Sequence, residues 1–330
     1  MAESMDVIEV KNLVKLYQVF QKEPGLFGTI KSFFNRRYEQ IRAVNGISFS
    51  IQEGELVGFI GPNGAGKTTT LKCLTGLLYP TSADKLSVLG FTPVQRKPQF
   101  LKSIAFVMGQ KNQLWWDLPP MDTFYLNKEI YEISDSQFKK TLGELVELLD
   151  VGKILNIQVK RLSLGQRMKC ELIAALLHLP KVLFLDEPTI GLDVVMQEKL
   201  REFVKNYNER YQSTIILTSH YMRDVQALAR RVIIINHGRI LFDGFLPSLI
   251  KRYAPFKLIT LVLKNEVEKT ELAKFGKIKN FDYPQVVLSV KSQDAKKITR
   301  EILANLPVED LNIEEADIED VIRQVFIGNK

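Results

Sequence analysis

The sequence has no apolar run approaching the roughly 18 to 20 residues that a bilayer-spanning helix needs. Its opening, Met1 to Asp6, is acidic where a secretory signal would be basic and then apolar. Membrane-spanning and secreted classes are therefore excluded, and a cytosolic chain is expected. Cysteine is nearly absent: Cys73 and Cys170 show no metal-ligand spacing, and each falls in a helix-period stretch where a small buried apolar residue fits. Sustained heptads are missing as well, so there is no long coiled coil. From residue 256 onward acidic and basic side chains nearly balance, which leaves the net charge of +7 in the first 255 residues. The tail is thus no nucleic-acid arm, while the charge as a whole fits an anionic partner such as nucleotide, DNA or anionic lipid.

At 330 residues with 45% apolar content, the chain is long enough for one large core and a smaller one. Ile8-Glu9-Val10 alternates as an edge strand does, and Ile47 to Ile51 alternates before the turn Glu53-Gly54-Glu55. Leu56 to Ile60 is instead apolar without alternation, the pattern of a strand buried on both faces. Similar runs recur at Val182 to Leu185, Ile215 to Thr218 and Val232 to Ile235. Helix-period stretches separate them, so the bulk reads as an α/β domain with a largely parallel sheet. Around residues 120–178 the texture becomes almost purely helical, from Pro119-Pro120 through Phe138 to Leu149 and then Leu164 to Leu177. After Tyr253-Ala254-Pro255 short strands and helices alternate, with an acidic cluster from Glu309 to Asp320. The expected organisation is a main domain over residues 1–255, carrying an insertion at 22–43 and a helical subdomain over about 111–178, and a small α+β domain over 256–330.

Gly61-Pro62-Asn63-Gly64-Ala65-Gly66-Lys67-Thr68 matches G-x-x-x-x-G-K-[ST], directly after a buried strand and directly before the helical spacing of Thr69 to Leu78. Glycines there let consecutive backbone N–H groups turn inward around phosphates, and the helix start adds partial positive charge. Lys67 is placed to reach the β and γ phosphates, and the Thr68 hydroxyl to meet Mg2+. Val182 to Asp186 then delivers a carboxylate at a strand's carboxyl end, where ligands sit in open α/β sheets. Asp186 is expected to hold Mg2+, directly or through water, and Glu187 to take the proton from an attacking water.

Five segments in fixed order carry a family resemblance: Gly61 to Thr69, Leu162-Ser163-Leu164-Gly165-Gln166, Asp186-Glu187-Pro188-Thr189, Gly191-Leu192-Asp193 and Thr218-Ser219-His220. Over residues about 6 to 250 the chain resembles the nucleotide-binding subunit of an ABC transporter. The resemblance implies an ABC ATPase domain with a mixed sheet and an inserted helical subdomain, binding ATP and Mg2+. It also implies roles for single residues: Tyr17 stacking on adenine, Gln110 contacting Mg2+ and the water, Asp193 communicating across a dimer, and His220 reading the γ phosphate.

Ser163 is a good N-cap, and the helix behind it aims its dipole and free amides at an anion. In the family this element, with Gly165 and Gln166, contacts the nucleotide held by the other subunit. One chain then holds two half-sites, and the working unit is a dimer with a second copy or a close paralogue. Leu164 stands where the commoner L-S-G-G-Q has glycine.

A cassette without membrane spans needs integral permease subunits and works at the cytoplasmic face of the membrane. Two regions could meet such a partner. The first contains both tryptophans, Trp115 and Trp116, read either as interface anchors or as subdomain core. The second is the insertion at 22–43. As a helix it gathers Leu26, Phe27, Ile30, Phe33, Phe34, Tyr38 and Ile41 on one face, with Arg37 inside that face and Lys31, Arg36 and Arg42 at its edges or beyond. It fits a lipid interface or a permease, or else packing on its own domain. The run Leu114 to Pro119, with Leu162 to Lys169, looks most like ATPases that partner type-2 exporter permeases. The alternatives are a soluble ABC ATPase acting on ribosomes or nucleic acid, and a regulatory ABC protein whose tail binds a small ligand or partner or stabilises the dimer. Nucleic acid is not the expected partner.

Overall fold

The computed structural model describes residues 6–21, 37–109, 111–219, 221–315 and 317–327. The chain divides into two compact units, Met1–Asp243 and Gly244–Lys330. Strands of the first are β1 (Asp6–Gln21), β2 (Arg37–Gln52), β3 (Leu56–Ile60), β4 (Lys85–Val88), β5 (Ile104–Met108), β6 (Val182–Asp186), β7 (Thr214–Thr218), β8 (Arg231–Asn236) and β9 (Arg239–Phe245). They form a six-stranded sheet in the order β5-β6-β7-β3-β8-β9 and a three-stranded sheet in the order β2-β1-β4. Strands β5 to β8 pair in parallel with one another and with β3. β9 returns beside β8 after the turn His237-Gly238, whose two residues both have positive φ, as a tight hairpin requires.

Alternate residues of the buried strands feed two cores. Leu183, Leu185, Ile215 and Leu217 enter one with Phe124, Phe138, Leu145 and Leu172 of the helical insert. Val182, Phe184 and Ile216 enter the other with Phe59, Leu71 and the antiparallel strand residues Ile8, Val10 and Ile51. Both faces of this sheet are therefore dry, which is why these strands read as unbroken apolar runs. The helical insert comprises Pro120–Ile130, Asp135–Leu149 and Leu164–Leu176. Ser134 caps the second of these helices, its hydroxyl accepting from the Gln137 N–H. Cys73 and Cys170 are both buried, and burial pushes their thiols up to about 11 and about 12.

Two expectations need correction. β1 is a central strand, paired antiparallel with β2 on one side and β4 on the other. Its alternation reports one covered face, which an edge strand and a half-covered central strand share. The proposed insertion helix fails at its C-terminal end: residues 37–43 belong to β2, with Tyr38 opposite Phe20, Ile41 opposite Tyr17 and Arg42 opposite Leu16. Tyr38 and Ile41 sit three apart, which a helix would align, but the ladder to β1 sends them to opposite faces. Residues 22–36, which carry the rest of that apolar face, lie outside the described residues.

In the second unit β10 (Phe256–Leu263), β11 (Lys277–Asp282), β12 (Gln285–Lys291) and β13 (Val308–Glu315) form an antiparallel sheet in the order β11-β12-β10-β13. Ile259, Leu261 and Leu263 alternate onto one face and pack with Leu288, Val290 and Ile302, the last from the helix Ala295–Asn305. Helices Leu246–Tyr253 and Ile318–Ile327 complete the unit.

Candidate nucleotide site

Strand register assembles the site. β3 lies between β7 and β8, and β6 flanks β7, so the carboxyl ends of β3, β6 and β7 are adjacent. Phe59 is level with Thr218, and Thr218 with Asp186. The loop after Ile60 therefore opens beside the end of β6, and residues more than a hundred positions apart come into contact. Gly66 precedes the helix Lys67–Leu74 with φ 107°, and a Cβ there would sit 2.3 Å from the Ala43 carbonyl oxygen. Only glycine satisfies both constraints.

The pocket above the loop, about 410 Å³, is lined by Asn63 to Thr69 together with Ile41, Arg42, Glu187 and His237. Lys67 is almost fully buried, and its ammonium donates to the carbonyl oxygens of Gly61 (2.6 Å) and Pro62 (3.2 Å). Glu187 Oε1 lies 3.8 Å from the same nitrogen. Burial lowers the Lys67 pKa, and the neighbouring Glu187 and Asp186 carboxylates work against that shift. Thr68 Oγ1 donates to Asp186 Oδ2 at 2.8 Å, and Thr218 Oγ1 to Asp186 Oδ1 at 2.7 Å. A hydroxyl and a carboxylate side by side at the mouth of a glycine-lined cradle are the hard oxygen donors that suit Mg2+.

The Leu162 to Gln166 segment does not line that pocket. Ser163 caps the Leu164–Leu176 helix through a reciprocal capping box: its hydroxyl accepts from the Gln166 N–H at 3.2 Å, and Gln166 Oε1 accepts from the Ser163 N–H at 2.9 Å. Ser163, Leu164 and Gln166 are solvent-exposed. A Cβ on Gly191 would meet Leu164 Cδ2 at 2.9 Å, and one on Gly165 would meet Met196 Cε and Cγ at 3.2 Å. Leu164 thus packs over Gly191, and the segment keeps a capped helix start although it lacks the second glycine. Asp193 caps the next helix, Val194–Tyr211, through a bond from the Met196 N–H, and it is exposed beside Val194 and Val195.

The model of a family described as ABC transporter matches residues 44–190, and one described as EvrA-like ABC transporter, C-terminal domain, matches residues 255–314. The chain is 33% identical over 216 residues to the ABC transporter ATP-binding protein NatA of Bacillus subtilis (strain 168), covering 66% of this chain and 87% of that protein. It belongs to the ABC transporter ATP-binding family. The Nod factor export ATP-binding protein I of Burkholderia orbicola (strain AU 1054) is also 33% identical over 216 residues, which cover 66% of this chain and 70% of that protein. Among solved structures, the ATP-binding cassette MJ0796 in its dimeric post-hydrolysis state, bound to ADP and Pi, shares the fold. Its TM-score is 0.60 at 24% identity, over 72% of this chain and 98% of that chain. The chain is accordingly an ATP-binding, ATP-hydrolysing cassette.

Within this ABC cassette, Gly61 to Thr69, Asp186 and Glu187 come together, while Ser163, Gly165, Gln166 and Asp193 lie on a second surface. Tyr17 stands across the β1–β2 ladder from Ile41, which lines the pocket, with the Lys15 ammonium 5.3 Å from its ring. Gln110 and His220 fall outside the described residues. Trp115 and Trp116 are both exposed, next to buried Leu114. Two site-building residues escape the motifs. Asp224 is fully buried and accepts from Thr189 Oγ1 (2.6 Å), Ser219 Oγ (2.8 Å) and Arg201 Nη1 (2.8 Å). It ties the loop after Glu187 to the loop before His220. Gly109 is the other, since a Cβ there would lie 2.1 Å from the Glu187 carbonyl oxygen. An acid inside the apolar spacing Met222, Val225 was the one sequence signal for Asp224.

Proposed function

We propose that this ABC ATPase powers a membrane exporter as one of two cassettes, each site being completed by a second copy or a close paralogue. The observation that carries this reading is the separation of two elements: Lys67, Thr68 and Glu187 line one pocket, with Asp186 bonded to Thr68 beside it, and the exposed Ser163 cap lies outside that pocket. ATP would seat its phosphates in the loop, with Lys67 between the β and γ groups and Tyr17 and Ile41 against adenine. Thr68 and Asp186 would hold Mg2+, which withdraws charge from the phosphates when bound. Glu187 accepts the proton as water attacks the γ phosphorus, and ADP and phosphate result. Gln110 orients that water and His220 contacts the γ phosphate, while the partner's cap approaches from across the dimer and Asp193 lies between the two sites.

The membrane partner is inferred from three observations. Among the described residues no helix is long and apolar enough to cross a membrane. A groove of about 570 Å³, with half-buried Phe106 in its wall, offers exposed Leu77, Trp115, Leu126 and Ile130 to an integral permease. A relative is named for export. Such an assembly works at the cytoplasmic face of a membrane. Glu187→Gln, expressed with a tag in cells and purified from solubilised membranes, should cut ATP turnover at least ~100-fold and migrate with ATP as a dimer together with an integral membrane protein. Near-normal turnover, a monomer with ATP, or recovery free of any membrane protein would each sink the corresponding part.

A further inference from the structure

The second unit contains a groove of about 880 Å³, twice the volume of the pocket over the phosphate loop, built entirely from residues of that unit. Its floor is apolar: Leu246, Ile250, Ala254 and Pro255 come from the Leu246–Tyr253 helix and the turn that follows it. Three lysines reach it from three elements, Lys251 from that helix, Lys257 from the start of β10 and Lys291 from the end of β12. These strand ends coincide because β10 pairs with β12 in register, Phe256 opposite Lys291. Beyond them the turn at Ser292 is pinned by its N–H bond to the Pro255 carbonyl at 3.0 Å.

One acid answers these charges. Glu315, opposite Lys257 in the β10–β13 ladder, bonds the Lys257 ammonium at 2.8 Å. Among the described residues neither Lys251 nor Lys291 forms an ion pair. The groove therefore offers an apolar floor, volume for a hydrocarbon chain and two uncompensated ammonium groups at its rim. Cation stems lie along apolar surface while their heads stay in water, which suits a ligand that is apolar along its length and anionic at one end.

We propose that this groove binds a small amphipathic anion, a single-chain carboxylate or its chemical equivalent, independently of the nucleotide site. Charge sets the direction of selectivity: an ammonium-headed amphiphile of equal chain length is repelled where a carboxylate is attracted. Neither the cargo nor the ATPase chemistry requires this site, so its failure would leave the nucleotide reading intact.

The test is calorimetric titration of the full chain with dodecanoate, below its micelle concentration, and in parallel with dodecyltrimethylammonium. One saturable dodecanoate site per chain is expected, with affinity for the ammonium amphiphile at least ~10-fold weaker. Lys251→Glu with Lys291→Glu should weaken dodecanoate at least ~10-fold, and Ile250→Asp should abolish binding, with the far-UV circular dichroism spectrum retained in both as the check on folding and ATP binding unchanged as the check on independence. Equal affinity for the two amphiphiles, unaltered binding in the double lysine variant, or no saturable binding would overturn the proposal.

Discussion

Asp224 and Glu171 are both carboxylates buried in the first unit, and they are held in opposite ways. Asp224 receives three donors, two hydroxyls and a guanidinium, each within 2.8 Å. Glu171, on the helix that Ser163 caps, leaves Oε1 without a hydrogen bond, and its nearest cation, Arg167 Nε, stands 3.7 Å away. Arg167 in turn lies 5.7 Å from the ring of exposed Trp116. A satisfied buried charge fixes its surroundings, whereas an unsatisfied one leaves them poised between two protonation states. The contrast assigns a fixed part to the loops around Glu187 and a more adjustable one to the root of the Ser163 helix.

The largest effect should come from breaking the satisfied member. Asp224→Ala removes the acceptor for Thr189, Ser219 and Arg201 together and strands a mostly buried guanidinium. Losing one partner of a buried pair costs about 3 to 5 kcal/mol, so the urea midpoint should fall accordingly and ATP turnover with it. A loss under about 1 kcal/mol would fit a surface pair instead and would remove Asp224 as the anchor of those loops.

That anchor marks the limit of what the chain discloses in one dimension. The phosphate loop, Asp186-Glu187 and the Ser163 cap are legible because each is a contiguous string whose chemistry depends on adjacent residues. β3, β6 and β7 are legible because being covered on both faces leaves an unbroken apolar run. Asp224 draws its partners from positions 189, 201 and 219, a convergence that only strand order creates. Gly109 is constrained by the backbone of Glu187, just past the end of the neighbouring strand β6. At residues 37–43 a helix-period apolar pattern coexists with a strand, because pairing to β1 outweighs local spacing.

The unsatisfied member should show itself through pH. Burial raises the Glu171 pKa to about 7, opposed by Arg167 and by a bond from the Gln113 backbone. A pKa raised above its unfolded value means that the folded state holds the proton more tightly. The stabilisation is fully present below the unfolded pKa near 4.5 and is lost as pH rises through about 7. A shift of that size corresponds to about 3 kcal/mol across the window. Glu171→Gln should therefore match or fall below the parent in thermal midpoint at pH 5 and exceed it at pH 8.5. A constant difference across that range would show that Glu171 does not titrate there, and the contrast with Asp224 would lose its basis.

The smallest effect tests whether the Ser163 helix is held at its exposed start or at its buried root. Ser163→Ala removes the hydroxyl that accepts from Gln166 but leaves the Gln166 side chain bonded to the backbone of residue 163. Half of the capping box survives, so the expected loss is about 1 kcal/mol, and the solvent exposure of the site lets water replace part of the missing bond. If Glu171 is the adjustable point, this loss should be the same at pH 5 and pH 8.5, and the double variant with Glu171→Gln should be additive, since eight residues of helix, roughly 12 Å, separate the two groups. A coupling above about 1 kcal/mol in that double-mutant cycle would instead mean that cap and root respond as one element, and that the protonation of Glu171 reaches the exposed start of the helix.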